Sequence, residues 1–595
     1  MKMRRALVPA LLALMSSAAC QGTPVPSPQP IVAGPPAIPD AQSPVDAPLF
    51  VGQNTFAAPL SDQTEFSPPL ATVRADGGNS GVVDGLGPLG RAPVTGSAAE
   101  PVLPPLLWSG RTSLTSGCQV EIDPGLTKNC LAAVDASTLT VTARWLPPGQ
   151  DLNLASAVVD DAQRVLVTTR QRHLFVVARP DGAGGTFRLV RDVDLNSHLA
   201  DGQGLLAAVS DTDGNVWFTS GGPPPSGAPS PDTTVGYVTA DDQVVTTTLP
   251  SQHAETGLAV DQGNVFLATA PIGPTGTPAR GQLYALTAAS NQVQAVWRDT
   301  YDAGSSAKPG ATTRGTGSPV VLLGSRYLAL TDNADGQTHL LVYLRGSLPG
   351  SPARGLTGTT TTTTPPPGPA PTAPTAPTAP SAPTATTATI APAGGAVPGP
   401  SAPTATTATI APAGGAVPAT VSDPRLVCAI PLFTSGSSAV ASAPVGYASG
   451  DTNSVIVANG YNAPATLTDP SDNGPANDIN QMAAGVSRVD VLPDGSGCRT
   501  EWTTALRLKT APVLASGTGL LYGYTEDEGR AAAGSFIWYF VAVDYRTGRV
   551  VWRQRAGAGS TKNDNRQPTM MGANGVLYQT VPLGILWMRD VAQRP

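Results

Sequence analysis

The chain has 595 residues, of which 13% are charged, with a net charge of −7, 64 glycines and 61 prolines. Such a composition argues against a mainly helical protein and for many turns. No basic run follows Arg5, so nucleic acid is not an expected partner.

The chain opens on "MKMRRALVPALLALMSSAAC". Lys2, Arg4 and Arg5 give a positive start, Ala6–Met15 an apolar core, and Ser17-Ala18-Ala19 the small residues of a cleavage site. The apolar stretch is too short to span a bilayer. Cys20 follows the small residues directly, which predicts a lipoprotein-type signal over 1–20 with Cys20 lipidated. Ser17 stands where such signals usually carry Leu, and plain secretion is the alternative. Residues 21–100 are rich in Pro, Ala, Gly and Ser and predict a disordered tether.

Four cysteines remain: Cys118, Cys130, Cys428 and Cys498. An even number in an exported chain predicts two disulfides. Of the three pairings open to them, Cys118–Cys130 with Cys428–Cys498 is preferred. There is no CxxC spacing and no adjacent His for a zinc site.

From 101 to 595 the chain reads as short strands between turn residues. One scheme recurs: four strands, a turn after Asp or Thr, and often a Trp on the fourth. Repeats of this kind are propeller blades, and the fold class is all-β. The clearest runs over 511–557, where Asp544 and Gly548 make the last turn and Trp552 lies on the outer strand. Eight blades can be laid out, or seven if the first or last is absorbed elsewhere. "LPPLLWS", about 103–109, is the expected outer strand of the last blade, closing the ring. A Thr/Pro/Ala insert over 347–424, containing "SAPTATTATIAPAGGAVP" twice, interrupts the fifth blade as an extended, solvated segment. On this layout Cys428 and Cys498 fall on the outer parts of neighbouring blades.

In a propeller, the connections leading into each inner strand and those joining second to third strands share one face. That rule collects Arg172, Glu255, Lys308, Arg314, Asp332, Asn333, Asp335, Asn459, Tyr461, Asn563 and Asp564 as a candidate ligand-binding face. His173, Ser318, Glu526, Asp527, Glu528 and Arg566 fall there as well. Asp332, Asn333 and Asp335 in "TDNADG" bring three oxygen-bearing side chains within four residues, a candidate calcium site outside the EF-hand pattern. His339 is a candidate base. The plainer reading is that Asp and Asn fill these positions because they make turns. No GxSxG, HExxH, P-loop or dinucleotide fingerprint occurs, so no catalytic residue is assigned.

"VAVDYRTGRVVWRQRAG", 541–557, resembles the repeat of the pyrroloquinoline-quinone dehydrogenase superfamily. From about 110 to 590, "VLVTTRQRHLFVVA", "GTGSPVVLLGSRYLALTDNADGQTHLLVY" and "GVLYQTVPLGILWMRD" resemble an uncharacterised family of exported bacterial propellers within that superfamily. The resemblance implies the propeller and no established activity. The quinone enzymes hold their cofactor between a tryptophan and a disulfide of adjacent cysteines. This chain has no adjacent cysteines, and Trp145, Trp297, Trp502 and Trp552 fall on outer strands. "DTDGNVWFTSGG" and "GLAVDQGNVFLAT" resemble blades of lactonase and lyase propellers. The leading expectation is a monomeric, lipid-anchored envelope scaffold that binds a protein or saccharide. A metal-dependent hydrolase or lactonase comes second, and a quinone-dependent oxidoreductase third.

Overall fold

A computed structural model describes residues 35–44, 46–63, 76–100, 102–109, 113–136, 138–179, 185–222, 230–311, 313–346, 361–363, 423–572 and 574–591. The signal, Cys20 and most of the 347–424 insert lie outside them.

Eight antiparallel sheets of four or more strands form the eight blades of a propeller. From the inside outward, blade 1 is Val102–Ser109, Ser113–Asp123, Leu126–Asp135 and Val141–Trp145. Blade 2 is Leu152–Val159, Val165–Thr169, His173–Ala178 and Arg188–Asp194. Blade 3 starts at Leu205–Ser210 and ends at Val244–Leu249, with Thr361–Thr363 added outside it. Blade 4 runs from Gln252–Ala254 and Ala259–Asp261 out to Gln292–Asp302. Blade 5 is Val321–Leu323, Tyr327–Thr331, His339–Leu344 and Leu426–Pro431, so the insert sits between its third and fourth strands. Blade 6 runs from Val445–Ser449 out to Cys498–Thr504, and blade 7 from Val513–Ala515 out to Val550–Ala558. Blade 8 is Met570–Met571, Leu577–Val581 and Gly584–Asp590, closed on the outside by Pro93–Ala98.

Strand alternation places apolar side chains on both faces of each sheet, and the core is a ring of layers between neighbouring blades. Val209, Trp217, Leu267 and Tyr284 fill the layer between blades 3 and 4. Val321, Leu340, Val457 and Val489 fill the one between blades 5 and 6. In the turn of blade 7, Thr547 donates its amide to Asp544 Oδ1 at 2.8 Å, and Gly548 takes the φ of +70° the turn requires. Trp552 is buried beside Tyr522, ring centroids 6.0 Å apart. Both disulfides form as expected, Cys118–Cys130 within blade 1 and Cys428–Cys498 between the outer strands of blades 5 and 6. They accord with an oxidising compartment.

Two expectations change. Residues 103–109 do not close the ring: they form the inner strand of blade 1, pairing with Ser113–Cys118. The closing strand is Pro93–Ala98, in register with Ile585–Asp590. Gly96 lies directly over Trp587, where a Cβ would stand 2.2 Å from the indole, so this strand position needs glycine.

The described parts of the expected tether are packed on the ring. Phe50–Gly52 pairs with Trp552–Gln554 on the outside of blade 7. Residues 76–83 then run along the free edges of the inner strands. Val260 donates its amide to Gly77 O, Leu322 to Gly78 O, Gly446 to Ser80 O and Leu514 to Gly81 O. Asn79 Nδ2 donates to Leu258 O and Val320 O, and Val82–Val83 pairs in parallel with Leu514–Ala515. One segment thus covers the channel side of blades 4, 5, 6 and 7. Its composition carries no strand periodicity because its partners supply the edges.

Candidate functional site

The polar residues assigned above to the binding face lie in connections on one side of the ring, here called the upper face, or, for His173 and Glu526, at the strand ends that adjoin them. The structure divides them into a half-buried group, a buried group and a few separate turn residues.

The first group joins blades 4 and 5. Glu255 accepts the amides of Arg314 at 2.9 Å and Gly315 at 2.6 Å. Burial pushes its carboxyl above the usual range, against the pull of those two amides. Arg314 donates to the carbonyls of Pro274, Thr277 and Gly304. Asn333 Nδ2 points at three carbonyls, those of Ala303, Ser306 and Arg314. Asp335 accepts from the Ser305 amide at 2.9 Å. Asp332 accepts from the His339 amide at 2.6 Å and from His339 Nδ1 at 2.9 Å. That hydrogen bond to Asp332 raises the His339 imidazole above its ordinary pKa. Lys308 Nζ donates to Thr338 Oγ1 and Ser438 O. Asp332, Asn333 and Asp335 therefore face three different sets of protein partners. Asn333 turns its amide nitrogen, not its oxygen, toward the carbonyls. Among the described residues, no three His, Cys, Asp or Glu side chains converge.

The second group lies where blades 6, 7 and 8 meet. Lys509 Nζ is 3.0 Å from Asp564 Oδ1, donates to Asn563 Oδ1 at 2.8 Å, and lies 5.0 Å from the centre of the Trp538 ring. Asn563 donates onward to Asn477 Oδ1 at 2.8 Å. Glu526, the last residue of its strand, is fully buried and accepts the Ile479 amide at 3.0 Å. Its Oε1 and Asp564 Oδ2 have no protein partner among the described residues. Burial pushes the Glu526 carboxyl up to about 9, with the nearby Asp478 and Asp564 adding to the shift. Asn563 and Asp564 were legible in the sequence as loop residues. Lys509, Trp538 and Asn477 were not singled out, because a lone lysine in "LRLKTAP" looks like a solvated surface cation.

The raised Glu526 carboxyl fixes a pH dependence. Stability from its protonated form is present below the ordinary value of 4.5 and is lost as pH rises toward the folded value of about 9. Glu526→Gln keeps an oxygen for the Ile479 amide and removes the charge. It should raise the midpoint of thermal unfolding by a few degrees at about pH 8 and change it little at about pH 5. Thermal melts across that range check it.

The remaining assigned residues stand apart. Arg172 closes a hairpin with φ +64° and accepts the Leu195 amide on its carbonyl. Asn459 Oδ1 accepts the amides of Ala439 and Tyr461, and its Nδ2 donates to Ser437 O. Tyr461 lies in the long loop between Thr452–Ala458 and Val486–Val491, where the Asn462 amide donates to Pro309 O. Arg566, from blade 8, donates to the carbonyls of Gly310, Ala463 and Pro464, and Asn565 Oδ1 accepts the Leu467 amide. These bonds link the long loop of blade 6 to the loops that enter blades 5 and 8.

On the remaining side, between blades 8, 1 and 2, lies an apolar cavity of about 370 Å³. No expectation from the sequence placed a site there.

No protein-family model matches the chain, and no curated protein matches it by sequence. Solved propeller structures match weakly. The quinohemoprotein alcohol dehydrogenase ADHIIG from Pseudomonas putida HK5 is 9% identical, with TM-score 0.42 over 90% of this chain and 85% of that one. Sqt1 from Chaetomium thermophilum is 10% identical, with TM-score 0.35 over 81% and 93%. The Dos1 propeller is 12% identical, with TM-score 0.23, and the match covers 38% of this chain and about half, 52%, of that one.

Proposed function

We propose that this protein is an exported, lipid-anchored propeller that binds a protein or saccharide ligand on its upper face as a cell-envelope scaffold. One observation carries the reading: most polar side chains of that face are tied into loop-to-loop bonds, and the chain's own residues 76–83 line the channel side of blades 4–7. A channel enzyme needs convergent, accessible catalytic groups. A rigid platform built from connected loops suits recognition, which favours pre-ordered surfaces. The two disulfides support an oxidising location. Anchoring rests on Cys20 in its lipoprotein-type context.

The test uses the full chain in its native envelope, with a photo-crosslinking aromatic residue at Tyr461. The reading expects one discrete adduct, absent when the crosslinker is placed on the opposite face, and a Cys20→Ser chain released from the membrane. A purified chain holding stoichiometric divalent metal, lost in Asp332→Ala or Asp335→Ala, would support the hydrolase instead.

A further inference from the structure

The inner strands of blades 1 and 2 depart from regular pairing in a related way. In blade 1, Leu103 pairs with Gly117 and Leu106 with Ser116, so Pro104 and Pro105 stand outside the ladder. In blade 2, Asn153 pairs with Thr168 and Val158 with Leu166, leaving Leu154–Ala157 opposite a single residue. Each irregularity is repaired by a serine. Ser116 Oγ donates to Leu103 O at 2.6 Å. Ser156 Oγ accepts the Thr168 amide at 2.9 Å and donates to Asn153 O at 2.7 Å. Prolines fit the first bulge because they bring no amide hydrogen that would need a partner.

Both bulges turn their side chains into the same space. Pro104, Pro105, Leu154, Ala155 and Ala157 line the apolar cavity between blades 8, 1 and 2. Bulges at the rim of closed sheets re-aim side chains, and two of them at one cavity make a built site. None of the lining residues is charged. Gln567 lines it as well, and among the described residues its amide head makes one hydrogen bond, a 3.4 Å donation to Asn565 O. The volume of about 370 Å³ falls within the range of small-molecule sites.

We infer that this cavity is a binding site for a neutral, mostly apolar small molecule carrying one hydrogen-bonding group, which Gln567 recognises. An ionised ligand is disfavoured because nothing in the lining would offset its desolvation. The inference rests on the binding reading of the upper face and adds a second, small-molecule seat to it.

N-phenyl-1-naphthylamine, neutral and apolar with a single N–H, is the probe. Titrated into the full chain, it should give a saturable fluorescence rise at one site per chain. Ala155, an exposed residue at the rim, allows the site to be filled without touching the core. Ala155→Trp should weaken binding at least ~10-fold while the melting curve stays unchanged. Should that variant misfold, Ala155→Cys folded first and then alkylated with N-ethylmaleimide must give the same loss. Gln567→Leu should weaken the probe but not a plain hydrocarbon competitor. Non-saturable binding, or binding indifferent to the block at Ala155, overturns the site. Absence of probe binding with the Tyr461 adduct retained would sink the cavity alone. Probe binding without the adduct would sink the scaffold reading alone.

Discussion

A chain that begins at residue 102 should fail to fold, although it keeps every strand of blades 1 to 7. It loses Pro93–Ala98, leaving Gly584–Asp590 as an open edge with Ile585, Leu586 and Trp587 uncovered. It also loses residues 76–83, which satisfy amides on the inner edges of four blades. An open, apolar edge is a template for aggregation. The loss should exceed about 5 kcal/mol, comparable to the whole stability of a typical domain. A chain that begins at residue 35 keeps all these contacts and should melt with the full-length protein. One beginning at 76 loses Phe50–Gly52 from the outside of blade 7 and Ile38 from the core it shares with blade 8, and should fold with a lower midpoint. Size-exclusion chromatography and melting curves of the three chains decide the matter. A monomeric, cooperatively melting 102–595 chain would show that the N-terminal segment is dispensable.

The contrast between blade 7 and that segment shows what the sequence carries. Blade 7 is written locally: an unbroken apolar run over 537–543, Asp544 and Gly548 for the turn, and Trp552 for the seam. All four strands lie within fifty residues and each signal acts on its neighbours, so the order of the blades was legible. Residues 76–83, "DGGNSGVV", set Val82 and Val83 against the core and hold the ring through backbone carbonyls and Asn79. Their partners lie hundreds of residues away, and a Gly-rich stretch with no period of its own reads as a linker. The same limit applies to the candidate sites. Asn333 and Asp335 were found because loops collect such residues, but only the structure assigns them to internal carbonyls and amides. The apolar cavity was invisible because it arises from register shifts, and "LPPLLWS" reads as an outer strand because the last blade shows three strands of its own and leaves an edge to close.

Lys509→Met should be the most damaging single substitution on the upper face. Lys509 and Asp564 are each 1% exposed at the side chain, so neither charge is screened by water. Removing the ammonium leaves Asp564 buried and uncompensated, and leaves Asn563 Oδ1 without its lysine donor. Breaking a buried pair in this way costs about 3–5 kcal/mol. The Glu526 carboxyl also loses a nearby cation that holds its proton affinity down, so it should stay protonated to still higher pH. The methionine retains the apolar stem beside Trp538, which separates the charge effect from lost packing. In Lys509→Met with Asp564→Asn, no unpaired charge remains, and well over half of the stability should return. Denaturant unfolding of the two single variants and the double variant forms the cycle. If Lys509→Met unfolds with the wild-type midpoint, the pair is not a fastening of blades 7 and 8. If the double variant is worse than either single one, the lysine acts through Asn563 and the loop at Asn477, not through Asp564.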